Sequence, residues 1–541
     1  MTLLSLRNVN VSIHDTPILK SISFELAAGE VLGVVGESGS GKSITALAIM
    51  GLLPAGSSLS GEVRFADSTL NELEEAALCR VRGDDIGMVF QEPMTALNPV
   101  HSIGQQVAEC IRLHQPVNMK KALQIAADTL TRCGLPPAQF PMSRYPHELS
   151  GGQRQRVVIA MAVALKPRLL IADEPTTALD VTTQAEILNL LKSLQHDEKM
   201  ALMLISHDLA VVASMADEVV IMNQGSVVEQ GLVNQVFAKL KHPYTRSLFE
   251  ASNHTPNQLP VEERKVVADA AESDTTTLLD VTDLVCEYGT PRRGWLGRSN
   301  QFRAVDGVSF SVLAGESVGL VGESGCGKST LARAVLGLMK PASGRIEVRG
   351  RSISEDLSVL RHVQVVFQDP YGSFNPRHKV SRLVAEPLNV MSQQPTRRES
   401  LALVVDMLES VGLTANDADK YIHEFSGGQR QRIAIARALI VRPALIVLDE
   451  AVSALDVSVR ATVLDLLASL AASHGLAYLF ISHDLSVVRS VTDRVLVMES
   501  GKVVEQGNTD DVFDNPTHEY TQRLVASVPQ LPDYVNSIET K

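Results

Sequence analysis

Residues 30–53 read EVLGVVGESGSGKSITALAIMGLL, and residues 317–339 read SVGLVGESGCGKSTLARAVLGLM. Each stretch opens on a short apolar run, passes through a glycine-rich loop and closes on apolar residues at helical spacing. The run reads as a buried strand and the closing pattern as a helix. The loop fits GxxxxGKS. Its glycines let the chain turn tightly and bring backbone N–H groups against phosphate oxygens. Gly36, Ser38, Gly39 and Gly41 form one cradle, and Gly322, Ser324, Gly325 and Gly327 form the other. The helix that follows points its N-terminus at the phosphates. Lys42 and Lys328 are expected to reach the β- and γ-phosphates, and Ser43 and Ser329 to place a hydroxyl on Mg²⁺. Ile44 and Thr330, next in each helix, are counted with the nucleotide-binding set.

The two cradles are part of a longer repeat. LSGGQRQR at 149–156 returns as FSGGQRQR at 425–432, LLIADEP at 169–175 as LIVLDEA at 445–451, and LISHDLAVV at 204–212 as FISHDLSVV at 480–488. Ser150 to Ser426, Glu174 to Glu450 and His207 to His483 are each 276 positions apart, and Lys42 to Lys328 is 286. Fixed order with near-constant spacing indicates a tandem duplication. We place a first domain at 1–250, a linker at 251–277 and a second domain at 278–541. The linker is polar and without periodicity, and reads as a flexible tether. Residues 289–301, with Arg292, Arg293, Trp295 and Arg298, have no counterpart in the first half and read as a surface loop.

Composition narrows the class. The chain has 541 residues, enough for several domains at about 100–200 residues each. Acids exceed bases by 62 to 49, so a nucleic-acid footprint is not expected. The five cysteines, Cys79, Cys110, Cys133, Cys286 and Cys326, are too far apart for zinc or iron–sulfur spacing. The N-terminus shows no secretory pattern, and no apolar run is long enough to span a membrane.

Each half reads as α/β, with strand–loop–helix units of a doubly wound nucleotide-binding core. The apolar strands ending in Asp173-Glu174 and Asp449-Glu450 supply what a cradle lacks. Asp173 and Asp449 suit a Mg²⁺-linked water; Glu174 and Glu450 can orient and deprotonate the attacking water. His207 and His483, each inside SHD after a strand, could hold the γ-phosphate and that water. Ser150-Gly151-Gly152-Gln153 and Ser426-Gly427-Gly428-Gln429 each open a further helix. A helix cap explains the serines alone; it leaves the paired glycines unexplained.

Cradle, LSGGQ, DE, ALD and SHD, in that order and twice over, resemble the ATP-binding-cassette ATPases. The resemblance covers nearly the whole chain. It implies two tandem nucleotide-binding domains, each a RecA-like core with an α-helical signature subdomain, hydrolysing ATP with Mg²⁺. It also implies composite sites, in which Lys42, Asp173, Glu174 and His207 work with Ser426, Gly427 and Gly428, and Lys328, Asp449, Glu450 and His483 with Ser150, Gly151 and Gly152. Gln91 in VFQEP and Gln368 in VFQDP match the family's loop that senses Mg²⁺ and water and links to the membrane partner. Tyr288 matches the aromatic residue that stacks on adenine. Ile13, beside His14, stands there in the first half, which puts stacking in doubt at that site.

FQEPMTALNP, FQDPYGSFNPR, KHPYTRSL at 241–248 and PTHEYTQRL at 516–524 resemble the oligopeptide, dipeptide and nickel importer ATPases, here in a fused form. That resemblance implies two integral membrane permease subunits docking near 91–103 and 368–380, and a periplasmic solute-binding protein. The chain would then be peripheral, on the cytoplasmic face of the bacterial inner membrane, and the solute a short peptide. Some members carry an iron–sulfur cluster after the HPYT segment; no cysteine stands there, and none is expected. Two alternatives stay open, a tandem cassette acting on ribosomes or DNA, and an exporter ATPase. The first would call for a long charged helical linker, zinc-binding cysteines or a coiled-coil insertion.

Overall fold

The computed structural model describes residues 1–531 apart from 92, 178, 257–258, 260–262, 265–276, 290–300 and 392–393. The chain divides into two compact units, Met1–Asn253 with Pro529–Lys541, and His254–Val528.

In the first unit six strands run in the order Ile86–Val89, Leu169–Asp173, Ala201–Ser206, Val31–Val35, Glu218–Asn223 and Ser226–Leu232. The first five are parallel and the last is antiparallel. The second unit repeats this as Val363–Val366, Leu445–Asp449, Ala477–Ile481, Ser317–Val321, Arg494–Glu499 and Lys502–Asn508. Parallel strands buried on both faces need apolar residues on both, which is why they read as unbroken runs. Alternate residues then serve different cores. Leu169 and Ile171 face a layer shared with the antiparallel sheet of Thr2–Ile13, Thr16–Ala27 and Ser57–Phe65, whereas Leu170 and Ala172 face the helices. Leu445 and Val447 separate from Ile446 and Leu448 in the same way.

The helical part of the first unit packs Ile103–His114, Met119–Arg132 and Gly151–Val163 about Val107, Ile111, Ala126, Leu130 and Val157. Ser102, Asn118 and Ser150 cap these helices by accepting the N–H three residues on. Val380–Ala385, Arg397–Ser410 and Gly427–Leu439 form the matching group in the second unit.

The expected tether is attached where it is described. Arg264 is 2% exposed and donates to Asp493 Oδ1 at 2.6 Å and to Ser317 Oγ at 3.3 Å. His254 Nε2 lies 2.7 Å from Asp465 Oδ1. A polar segment reads as solvated until a half-buried carboxylate claims one of its cations. The rest of the linker (265–276) and the loop with Trp295 lie outside the described residues.

Candidate functional site

The strand order brings three carboxyl ends together in each unit. Val35 is in register with Ser206, and Asp173 with Ile205. The cradle, the acid pair and the histidine therefore emerge at one edge of the parallel sheet, where open α/β sheets take their ligands.

Gly41 holds φ 102° and Gly327 φ 115° at the cradle-to-helix junction. A Cβ on Gly327 would stand 2.2 Å from Ala304 O, so conformation and space both require glycine. Lys42 Nζ donates to Gly36 O at 2.7 Å and Glu37 O at 3.0 Å, and Lys328 Nζ to Gly322 O at 2.6 Å and Glu323 O at 2.9 Å. Both ammonium groups thus lie inside the loop. Gly39 and Gly325 adopt φ 77° and 85°, and an added Cβ would meet nothing within 4 Å. Ser38 and Ser324 sit in the exposed arc of the cradle. The side chain of Ile44 packs against the core, which leaves its main chain for a ligand. Thr330 is buried, and its hydroxyl lies 3.3 Å from that of Tyr288.

Ser43 Oγ donates to Asp173 Oδ1 at 3.1 Å. Two hard oxygen donors side by side fit Mg²⁺, which keeps few protein ligands and takes the rest from water and phosphate. Among the described residues no group of three or more His, Cys, Asp or Glu could hold a metal, so a pre-built all-protein cage is not what these residues offer. Burial pushes the Asp173 carboxyl up, and burial with the neighbouring Glu450 pushes Asp449 up.

Glu174 and Glu450 hold left-handed backbone, φ 46° and 51°. A side-chain-bearing residue pays about 1–2 kcal/mol for that conformation, and its recurrence in both halves marks a demand of the site. The N–H groups of both residues donate to the neighbouring strand, to Ile205 O at 3.0 Å and Ile481 O at 2.9 Å. His207 Nδ1 lies 3.4 Å from Glu174 Oε1, and His483 Nδ1 lies 3.3 Å from Glu450 Oε1. Burial would raise Glu174, but the bond and charge of His207, the Thr177 hydroxyl and the Lys42 charge outweigh it and hold it at about 2. His483 holds Glu450 below the usual range in the same way. Burial would lower His483, and Glu450 overcomes this and raises it. Gln91 Nε2 and Thr177 Oγ1 both donate to Glu174 Oε2, at 2.8 and 2.9 Å. The SHD triplets build the turn that presents each histidine. Asp208 caps the helix at Leu209–Met215 while its N–H donates to Ser206 Oγ, and Asp484 repeats this with Ser482.

The signature segments divide into separate roles. Ser150 Oγ accepts the Gln153 N–H while Gln153 Oε1 accepts the Ser150 N–H, and Ser426 and Gln429 repeat this capping box. A Cβ on Gly152 would lie 2.3 Å from Thr183 Cγ2, and one on Gly428 2.2 Å from Val459 Cγ1. Close helix packing therefore accounts for the second glycine of each pair. The first is exposed, and a Cβ on Gly427 would meet nothing. Packing gives no reason for Gly427.

Tyr288 is 43% exposed beside the second cradle, while Ile13 packs partly into its core. Gln368 is exposed, like Gln91.

Sequence reasoning missed two residues of the HPYT-type segments. Tyr244 Oη accepts the Glu37 N–H at 3.1 Å, and Tyr520 Oη accepts the Glu323 N–H at 2.8 Å. The only signal was the repetition of the segment at the end of both halves. Each segment is held by a carboxylate, since Glu229 accepts the N–H groups of Lys241 and His242, and Glu505 those of Thr517 and His518. Burial would raise Glu505, but the bonds from Thr517 and His518 help to hold it at about 2, against an ordinary 4.5. A depressed carboxylate stabilises the fold above its unfolded pKa and ceases to as pH falls through the folded one. Glu505→Gln is therefore expected to lower the denaturation midpoint at neutral pH, with the gap from wild type closing from pH 4.5 toward 2. A gap independent of pH would reject this assignment.

Comparison with known proteins places the chain among transport ATPases. A family described as ABC transporter matches residues 19–177 and 305–453. A second, described as the C-terminal region of oligopeptide/dipeptide transporters, matches 228–272 and 504–539. The glutathione import ATP-binding protein GsiA of Escherichia coli O157:H7 is 46% identical over 563 aligned positions, covering 97% of this chain and 89% of that protein. Its namesake in Shigella dysenteriae serotype 1 is 45% identical with the same coverage. A solved ATP-binding cassette, dimeric and bound to ADP and Pi, is 29% identical at a TM-score of 0.38, covering 43% of this chain and 99% of that one. Among the described residues no helix is long and apolar enough to cross a membrane.

Proposed function

The chain belongs to the ABC transporter family as the energy-coupling ATPase subunit of an importer, and from that premise we propose that it drives uptake of a short peptide, with glutathione the first candidate. The family brings with it ATP as the bound nucleotide and membrane permeases as partners.

The observation that carries the catalytic part is the doubled Glu–His pair beside a phosphate cradle, at 3.4 and 3.3 Å. Lys42 and Lys328 bind the β- and γ-phosphates of ATP, with the cradle N–H groups around them. Glu174 and Glu450 orient the attacking water and accept its proton. The histidines hold both carboxylates below the usual range, which favours the ionised form that accepts a proton. His207 and His483 fix the carboxylates and meet the γ-phosphate. Ser43, Asp173 and Gln91, and Ser329, Asp449 and Gln368, would hold Mg²⁺. That ion supplies neutralisation of phosphate charge. Tyr288 stacks on adenine in the second half, and the exposed glycines Gly151 and Gly427 leave backbone open to an anion.

The peptide assignment rests on the C-terminal matches at 228–272 and 504–539 and on the named glutathione importers. Two permease subunits dock near 91–103 and 368–380, and a periplasmic binding protein delivers the solute. The chain then sits peripherally on the cytoplasmic face of the inner membrane. Purification from membranes in mild detergent tests this. The expected result is co-purification of two multi-spanning proteins, and binding of glutathione or another short peptide by the solute-binding protein encoded with them. Recovery with ribosomes or DNA-bound proteins would sink the importer assignment. A binding protein that takes only nickel or another non-peptide would sink the peptide one.

A further inference from the structure

We propose that Tyr244 and Tyr520 are positioning residues of the two cradles, through which the C-terminal segment of each half sets the affinity for ATP. The proposal rests on reading the cradles as ATP sites.

Glu37 and Glu323 are the second residues of the two GESGxGKS loops. The phenol oxygens of Tyr244 and Tyr520 accept their N–H groups at 3.1 and 2.8 Å. On the other side of the same residues, Lys42 Nζ meets Glu37 O at 3.0 Å and Lys328 Nζ meets Glu323 O at 2.9 Å. The loop is thus gripped at one residue by a fixed tyrosine and by the lysine that serves phosphate.

Each tyrosine is itself held by a short chain of bonds. Glu229 Oε2 accepts the His242 N–H at 3.1 Å, and Glu505 Oε2 accepts the His518 N–H at 3.0 Å. His242 Nδ1 and His518 Nδ1 then accept the N–H groups of Tyr244 and Tyr520, both at 3.2 Å, and so cap the two helices. The carboxylates stand on Ser226–Leu232 and Lys502–Asn508, the edge strands of the same sheets that carry the cradles. A helix cap alone requires none of this, because Ser, Thr, Asp or Asn would serve. Nor does core packing require a hydroxyl at the ring's end. The construction occurs twice, across separations of 207 and 197 positions, with matching partners. In both halves it ends on a cradle N–H. Loss of the hydroxyl frees the start of the loop, so that nucleotide binding must order it.

Tyr244→Phe and Tyr520→Phe, singly and together, keep the ring and remove the hydroxyl that accepts the cradle N–H. In the complete transporter the double variant is expected to raise the KM for ATP about 3- to 10-fold, the span of one hydrogen bond, with kcat within about twofold. Hydrogen exchange is expected to show faster amide exchange at Glu37 and Glu323 without ATP. An unchanged KM with unchanged exchange would overturn the proposal. A loss of kcat and melting temperature with KM unchanged would also overturn it, since that is what a purely structural tyrosine gives. If the wild-type transporter hydrolyses no ATP, the proposed function falls, and exchange at the two amides alone decides the tyrosine contact.

Discussion

ATP turnover by the transporter is expected to fall about 10²- to 10⁴-fold when Glu174 and Glu450 are both replaced by glutamine, while ATP binding persists. Glutamine keeps the size of the side chain and its place on the strained backbone. What it loses is charge, and with it the capacity to take a proton. In the native site that charge is secured from three sides, by His207 Nδ1 at 3.4 Å and by the Gln91 and Thr177 donors at 2.8 and 2.9 Å. Lys42 and Lys328 donate to the cradle carbonyls of Gly36, Glu37, Gly322 and Glu323, contacts that the substitution leaves in place, so nucleotide binding is expected to persist. The single variants read the two sites separately, since each half holds its own Glu–His pair. Turnover at the wild-type rate in the double variant would remove both residues from the base role and leave them as supports for the histidines.

Asp493→Ala is expected to cost the second unit about 3–5 kcal/mol, because it leaves the Arg264 charge buried and unpaired. The melting temperature should drop by roughly 6–20 °C, read by calorimetry as a transition distinct from that of the first unit. Arg264 is 2% exposed among Leu467, Ala471, Tyr478 and Phe480, which offer its guanidinium little in place of the carboxylate. Burial raises the Asp493 carboxyl more than its bonds to the Ser317 N–H and Arg264 lower it, so the pair is costly to assemble and costly to break. Arg264→Met is the contrasting variant. It fills the same apolar space, and Asp493, whose side chain is already 21% exposed and accepts the Ser317 N–H at 2.8 Å, keeps that bond and its access to solvent. Its loss should be the smaller of the two. In the first unit Asp217 accepts the Val31 N–H at 2.9 Å in the matching place, and Asp217→Ala provides the comparison for that bond alone. Equal, small losses from Asp493→Ala and Asp217→Ala would show that the linker contact contributes nothing.

The sequence by itself determined the nucleotide chemistry and the repeat. A phosphate cradle needs glycine, lysine and a hydroxyl within eight positions, and strands buried on both faces need unbroken apolar runs. Such requirements are met by neighbours in the chain, so Gly41, Lys42, Ser43 and the run Leu169–Asp173 could be read directly. The serine of each signature was legible as a cap for the same reason. Only the tertiary structure separated the packed Gly152 and Gly428 from the open Gly427, because the separating atoms belong to Thr183, Val459 and the empty space around Gly427. It also turned the Ile44 side chain toward the core and put Glu174 and Glu450 in left-handed backbone. Arg264 in a polar linker carries no mark of burial until the fold sets Asp493 beside it, 229 positions away. Tyr244 likewise gains its meaning from the edge strand and helix that carry it back to Glu37. Local patterns encode what one loop or strand demands of its own residues. Contacts across two hundred positions depend on the order in which the strands assemble, which no short stretch contains.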